Sequence, residues 1–482
     1  MSLKKWQKIY VNRSLNMGSI KSIGFDMDHT LAPYNHINFE ALAFEKTLDK
    51  FIAAGYPKEL GKLQFDPNSV IRGLLVDHEK GNLLKVDAHK YVKKAFHGKR
   101  PLDKDERHKL YNSESFKAEN LKSVDTFFSL SEVQLFVEIV DFMDRHPGRI
   151  EKSYAEIYHD LRRYIDLSHA DGSIKTKVMA TPSHYIKKDK HLCSALIRLL
   201  SGGKSLFLLT NSDWEYTNAV MTYLLGDTLP DDYKSWQDFF DLVIVTGQKP
   251  KFFTSKNDFE EIDPQTNKGT LHKGTLEKGR VYAKGNAAKL QEATGVIGDE
   301  ILYVGDHIYG DIISSKGLVN WRTMLIVEEL EYELLKLEDT QDELEKIQES
   351  LREREVLDEE LQKLRSLRRS LDFQLKKTTE LEDKKKSSHL IRELEKLDDK
   401  VSDKEGVLKA FNKTIKNIIE NREKKIHPVW GELMKVNLEK SRFAQQVETY
   451  ACIYSGSVTN LRFYSPFKQF VSFHDTLPHD IE

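Results

Sequence analysis

Four apolar runs punctuate the chain, and each gives way to polar residues at its carboxyl end. They are Ser22-Ile23-Gly24-Phe25, Ser205-Leu206-Phe207-Leu208-Leu209, Phe239-Phe240-Asp241-Leu242-Val243-Ile244-Val245 and Ile301-Leu302-Tyr303-Val304. Runs this continuous, with little polar alternation, predict strands buried on both faces. Between the first and the second, residues 35–195 carry mixed signals and are too many for a loop. Leu42, Phe44, Leu48 and Phe51 predict a helix over Ala41–Phe51. Val70–Asp77 and Gly81–Val86 predict two strands joined by a turn at Glu79-Lys80-Gly81-Asn82. Val133–Met143 predicts an apolar helix stopped by His146-Pro147-Gly148. Buried strands interleaved with helical segments predict an α/β fold, a doubly wound parallel sheet with its ligand at the strands' carboxyl ends.

From Val327 to Lys425 the pattern changes. Leu330, Leu334, Leu337, Leu344, Ile347 and Leu351, then Leu357, Leu361, Leu364, Leu371 and Leu375, recur by threes, fours and sevens among Glu, Lys and Arg. That spacing predicts a coiled coil. Lys384-Lys385-Lys386-Ser387-Ser388 reads as the tip of a hairpin, and Ile391, Leu394, Leu397, Val401, Leu408, Phe411, Ile415 and Ile418 carry a returning helix. Beyond Pro428 the aromatics Phe443, Tyr450, Tyr454, Phe463, Tyr464, Phe467 and Phe470 predict a segment that packs back onto the body.

Charge and composition narrow the partners. The 482 residues hold 74 Lys and Arg against 76 Asp and Glu, a net charge of −2, which disfavours a nucleic-acid partner. Cys193 and Cys452 match no disulfide framework and no metal-ligand spacing. The polar start of the chain lacks the apolar stretch of a secretory signal, and no run approaches the roughly 20 apolar residues of a membrane span. The expectation is a cytoplasmic protein without a membrane partner.

The chemistry begins at Asp26-Met27-Asp28-His29-Thr30. On an extended backbone the two carboxylates would share one side. Like charges that close require a cation or a shared proton, and Mg²⁺ with its oxygen ligands suits them. One Asp could then attack phosphorus while the other carries the proton. An isolated pair of this kind is more often only a polar-capped turn.

Apolar strand followed by D-x-D-x-T resembles the first motif of the haloacid dehalogenase superfamily, and three further signals follow in that superfamily's order. Thr210-Asn211-Ser212 resembles the second motif, which binds a phosphoryl oxygen. Lys249 in Gln248-Lys249-Pro250 resembles the third, with Lys251 as a rival. Gly305-Asp306 through Asp311 resembles the fourth, which adds metal carboxylates. The resemblance implies Asp26 as nucleophile, Asp28 as acid and base, Thr210 and Lys249 on the phosphoryl group, and Mg²⁺ at Asp26, Asp28, Asp306 and Asp311. It implies a Rossmann-like core over 1–34 and 196–327, a cap inserted at 35–195, the helical hairpin over 328–426, and a C-terminal segment over 427–482 that packs on the core.

DMDHTLA, LLTNSDW, Phe252-Phe253, YVGDHIYGDI, Trp321-Arg322-Thr323 and Tyr464-Ser465-Pro466-Phe467 further resemble the cytosolic purine 5′-nucleotidases that act on IMP and GMP. That likeness implies a nucleoside grip by Arg162, Asp166 and Lys175, a base contact from His169, and stacking on Phe128, with Asn211 and Ser212 near the phosphoryl group. Donors that meet a 6-oxo group would reject adenine. It also implies a homo-oligomer (dimer or tetramer) and activation by a purine nucleotide at a second site that includes Asp125 and Tyr309. Here Asp125 replaces the family's usual Asn, Tyr309 a stacking Phe, and His29 a Tyr, while the expected Lys falls near Gly317. Nucleoside phosphotransfer from the same site, a phosphatase for another phosphomonoester, and an inactive scaffold are the rival readings.

Overall fold

The computed structural model describes residues 3–112, 121–380 and 384–472. The chain divides into two units, one of residues up to Leu334 together with those from Leu433 onward, the other Leu335–Glu432.

Six parallel strands form the centre of the first unit: β1 Ser22–Phe25, β2 Ser205–Leu209, β3 Leu242–Val245, β4 Val281–Lys284, β5 Ile301–Gly305 and β6 Arg322–Ile326. Their spatial order is β6-β5-β1-β2-β3-β4. Ile453–Ser455 and Tyr10–Val11 extend the sheet beyond β6, and Phe259–Asp263 with Lys268–Leu271 extend it antiparallel beyond β4. Alternation within the strands feeds two cores. Leu206, Leu208, Val243, Val245, Leu302 and Val304 join one, while Phe207, Leu209, Leu242, Ile244, Ile301 and Tyr303 join the other. Both faces are therefore apolar, and the runs read as continuous in sequence for that reason.

The helices between β1 and β2 include α1 His36–Ala53, α2 Ser129–Arg145, α3 Tyr154–Ala170 and α4 Ser173–Ala180. A five-stranded antiparallel sheet, built on Leu75–Asp77, Asn82–Val86 and Val92–His97, accompanies them. The strand expected over Val70–Asp77 is shorter: only Leu75–Asp77 pairs. Gly73 at φ +81° turns the chain before it, and Arg72 is buried at 1% exposure. The run from Phe239 is likewise shortened, because Trp236–Phe239 forms a helical turn and pairing begins at Leu242.

The second unit is a helical hairpin of α5 Gln341–Glu380 and α6 Lys384–Ile426. Arg365 pairs with Glu405 at 2.7 Å, Arg354 reaches Asn412 at 2.8 Å, and Arg368 meets Asp398, so the helices run antiparallel. Lys384–Ser388, expected at the tip, forms the first turn of α6, and the joining residues 381–383 lie outside the described ones.

Candidate active site

Because the central strands are parallel and in register, their carboxyl ends meet at one edge. Phe25 lies opposite Leu208 on one side and Val304 on the other, so Asp26, Thr210 and Asp306 follow from three adjacent strand ends. The Asp26 amide continues the ladder to the Val304 carbonyl at 2.9 Å, and the Thr210 amide bonds the Ile244 carbonyl at 3.0 Å. Gly305 is required by what comes next. A Cβ there would collide with the Asp311 carboxylate, which a wide helical turn over Ile308–Ile313 folds back against the strand.

Lys249, from the loop after β3, is the hub. Its Nζ donates to Asp26 Oδ2 at 2.8 Å, Asp311 Oδ1 at 2.7 Å and Tyr303 Oη at 2.9 Å. Burial pulls this ammonium's pKa down, but Asp26 and Asp311 more than offset that and hold it charged. Asn211 clamps the same loop, accepting from the Lys249 amide at 2.6 Å and donating to its carbonyl at 3.1 Å.

Asp26, Asp306 and Asp311 place one carboxylate oxygen each within 4.8 Å of one another. Burial first, then Asp311 and Asp28, push Asp26 up to about 7 against the pull of Lys249. Burial and Asp311 likewise push Asp306 well up, with Arg72 opposing. Asp306 Oδ2 is buried without a hydrogen-bond partner. Three buried carboxylates with an orphaned oxygen form a hard donor set that fits a divalent cation.

Asp28 behaves differently from the expectation of a shared face. The strand stops at Phe25, and the amides of Thr30, Leu31 and Ala32 all turn onto the Met27 carbonyl, so the backbone is not extended through Asp28. Its carboxylate stands outside the metal trio. Oδ1 accepts from Tyr34 Oη and Oδ2 from Ser212 Oγ, each at 2.7 Å. Two hydroxyls thus hold the Asp28 carboxylate beside the trio. Thr210 is fully buried, and its Oγ1 accepts from the Ser212 amide at 3.1 Å. Its hydroxyl supports the loop from beneath, while Asn211 and Ser212 face the cavity.

That cavity, about 500 Å³, is lined by Asp26, Asp28, Lys249, Asp306 and Asp311 and also by Phe128, Arg162, Asp166, His169 and Lys175. Arg162, Asp166 and His169 are four and three residues apart, so α3 presents them on one face while Ile157 and Leu161 pack inward. Arg162 bonds Glu132 at 2.8 Å and Asp166 at 2.9 Å, and Lys175 pairs with Asp213. The Phe128 ring stands edge-on to His169 at 5.7 Å. Burial drops the His169 imidazole to about 4, so it is neutral near pH 7, with one nitrogen to donate and one to accept.

Asp125 and Tyr309 do not line this cavity. Burial raises the Asp125 carboxyl against Arg442, His307 and Arg72, while Tyr309 is 54% exposed.

Sequence reading missed Arg72, Tyr34 and Tyr303. Arg72 forks onto Glu329, donates to the Asp306 carbonyl at 2.9 Å, and lies over the Phe127 ring at 4.1 Å. A lone Arg inside the apolar run Val70–Leu74 was the available signal. Tyr303 reaches Lys249 from within a strand and left no such trace.

A profile of the 5′ nucleotidase family matches residues 9–482. A 5′-nucleotidase domain-containing protein of Dictyostelium discoideum is 31% identical over 339 residues, covering 68% of this chain and 56% of the relative. 5′-Nucleotidase domain-containing protein 2 of Rattus norvegicus is 33% identical over 346 residues, 68% of this chain and 60% of its own length. The Homo sapiens protein of that name is 32% identical, at 68% and 64%. The chain thus spans between 56% and 64% of the length of these relatives. Among the described residues no helix is long and apolar enough to cross a membrane. With its catalytic-type residues gathered at one sheet edge and the profile running over nearly all of it, the chain belongs to the 5′ nucleotidase family.

Proposed function

We propose that this chain is a Mg²⁺-dependent 5′-nucleotidase that hydrolyses purine nucleoside monophosphates, IMP and GMP first. One observation carries the reading: a single cavity is lined both by the carboxylates and Lys249 and by an aromatic ring with polar cap residues. It has room for a phosphate and a nucleoside together.

Asp26 attacks phosphorus in line, forming an aspartyl phosphate as the bond to the 5′-oxygen breaks. Asp28, steadied by Tyr34 and Ser212, protonates that oxygen and then takes a proton from the water that attacks the phosphoaspartate. Lys249 offsets charge on the phosphoryl oxygens, and the Asn211–Ser212 loop, braced by Thr210, cradles them. Bound by Asp26, Asp306 and Asp311, Mg²⁺ would neutralise the repulsion between carboxylate and phosphate. Phe128 stacks on the base, and Arg162, Lys175 and neutral His169 offer donors to a 6-oxo group, with Asp166 orienting Arg162. Asp125 and Tyr309 remain the residues for a purine-nucleotide effector.

Phosphate release with Mg²⁺ from IMP, GMP, AMP, CMP and a sugar phosphate, each with and without ATP or GTP, tests the whole reading. Preference for the 6-oxopurines supports it. Activity on the sugar phosphate alone keeps the chemistry and removes the nucleoside grip, and silence on every substrate removes both. Added nucleoside acceptor separates hydrolysis from transfer, since both share the phosphoaspartate.

A further inference from the structure

Outside the cavity just described, two imidazoles and a carboxylate converge. His29 follows β1, His36 opens α1, and Glu328 follows β6. His29 Nδ1 stands 3.2 Å from Glu328 Oε1, and His36 Nε2 stands 3.0 Å from Glu328 Oε2. One donor atom from each lies within 4.8 Å of the others. Tetrahedral bonds of about 2.0–2.1 Å put neighbouring donors roughly 3.3 Å apart, so the two imidazole–carboxylate separations already match, while the imidazoles, each facing its own carboxylate oxygen, would close onto the ion by a small shift.

The rings are held in place without a metal. The His29 amide bonds the Ala32 carbonyl at 3.0 Å and fixes the turn at φ 54°. His36 stacks on Phe127 at 4.0 Å and on His29 at 5.4 Å, with only 11° between the imidazole planes. The His29 side chain is fully buried, that of Glu328 is 10% exposed and that of His36 26% exposed. His29 and Glu328 also line a second cavity of about 470 Å³, which shares no lining residue with the first and is edged by Lys187, Lys188 and Lys190.

We propose that His29, His36 and Glu328 form a second cation site, for Zn²⁺ or a similar late first-row ion. Two nitrogens and one oxygen select such an ion over Mg²⁺, whose preference is the all-oxygen trio of Asp26, Asp306 and Asp311. Three protein donors leave a fourth position for water, as in open zinc sites. His29 Nε2 and His36 Nδ1 are buried without hydrogen-bond partners, so the ligands lack outer support. Sites that lose such support bind about 10–100-fold more weakly, and the ion here is exchangeable rather than structural. Its effect is to tie the turn that carries Asp28 to α1 and to the end of β6.

Metal-stripped protein, in excess Mg²⁺ to fill the carboxylate trio, is titrated with Zn²⁺ and separately with Co²⁺. One equivalent of Zn²⁺ is expected to bind and raise the melting temperature, and Co²⁺ to show the intense visible bands of a tetrahedral nitrogen-containing site. His36→Gln and, as a second variant should the first not fold, Glu328→Gln should each abolish the Zn²⁺-induced shift and the bands. Binding that survives in the folded variants overturns the proposal, as does wild-type protein that binds no Zn²⁺. The trio is then only a carboxylate hydrogen-bonded by two imidazoles.

Discussion

The cavity and the helical hairpin spend charge in opposite ways. Asp26, Lys249, Asp306 and Asp311 at the cavity, with Arg72 and Glu40 elsewhere in the same unit, are all at least nine-tenths buried, and named neighbours act on the burial shifts of Asp26, Lys249, Asp306, Arg72 and Glu40. Along most of the hairpin the charges are exposed and pair across the two helices around a thin seam of Ile347, Leu361, Leu390, Leu397 and Ile415, while near the end of α6 Arg422 pairs with Glu432 out of solvent. Buried charge is expensive and persists where it performs chemistry, whereas exposed pairs contribute little individually. The comparison makes the cavity, rather than the hairpin, the place to test for chemistry.

Breaking the hub gives the largest effect. Lys249→Met removes the cation between Asp26 and Asp311, and kcat is expected to fall about 10³-fold, as when a preorganised donor to a transition-state oxyanion is lost. Steady-state phosphate release measures it; a loss under tenfold would dissolve the contrast.

The difference in legibility follows the same line. That Asp26, Thr210, Lys249 and Asp306 would converge was readable because parallel strands must end together, while which residue after each strand would act came from the superfamily's motifs. Arg162, Asp166 and His169 were placed by the family likeness, and their four-and-three spacing explains why one helix face carries them. Arg72 and Tyr303 were not readable, since nothing local says that residues far apart in sequence meet Asp306 and Lys249. The turn that takes Asp28 off the extended strand was invisible too, because it depends on where the strand stops. In the hairpin the apolar spacing foretold two long helices, yet it said nothing of what they do.

Buried charge also predicts a pH effect. Burial pushes Glu40 up to about 7 from 4.5, against a hydrogen bond from the Ser131 amide. Between those values the folded protein holds a proton that the unfolded chain has released, so stability falls as pH rises through this window. The shift corresponds to something on the order of 3 kcal/mol. Glu40→Gln should therefore gain stability relative to wild type from pH 5 to pH 8, as followed by thermal melts; a constant difference between the two proteins would refute the sign.

Phe128→Ala is expected to act on binding more than on chemistry. Losing a stacking partner should raise KM for IMP about fivefold to tenfold, with kcat changed much less. An equal fall in kcat would place the ring nearer the reacting atoms. Smallest of all in its effect on turnover is Leu397→Ala. It should destabilise the hairpin by about 2 kcal/mol, read by denaturant unfolding, and leave kcat/KM within about twofold. A large loss of activity there would mean that the two regions are coupled.

The central claim is that Asp26 carries the phosphoryl group. Protein mixed with Mg²⁺ and IMP labelled in its phosphate, quenched in acid within a turnover and digested, should show label on the peptide containing Asp26, and Asp26→Asn should show neither label nor phosphate release. Labelled phosphate released at the wild-type rate by Asp26→Asn would contradict the account.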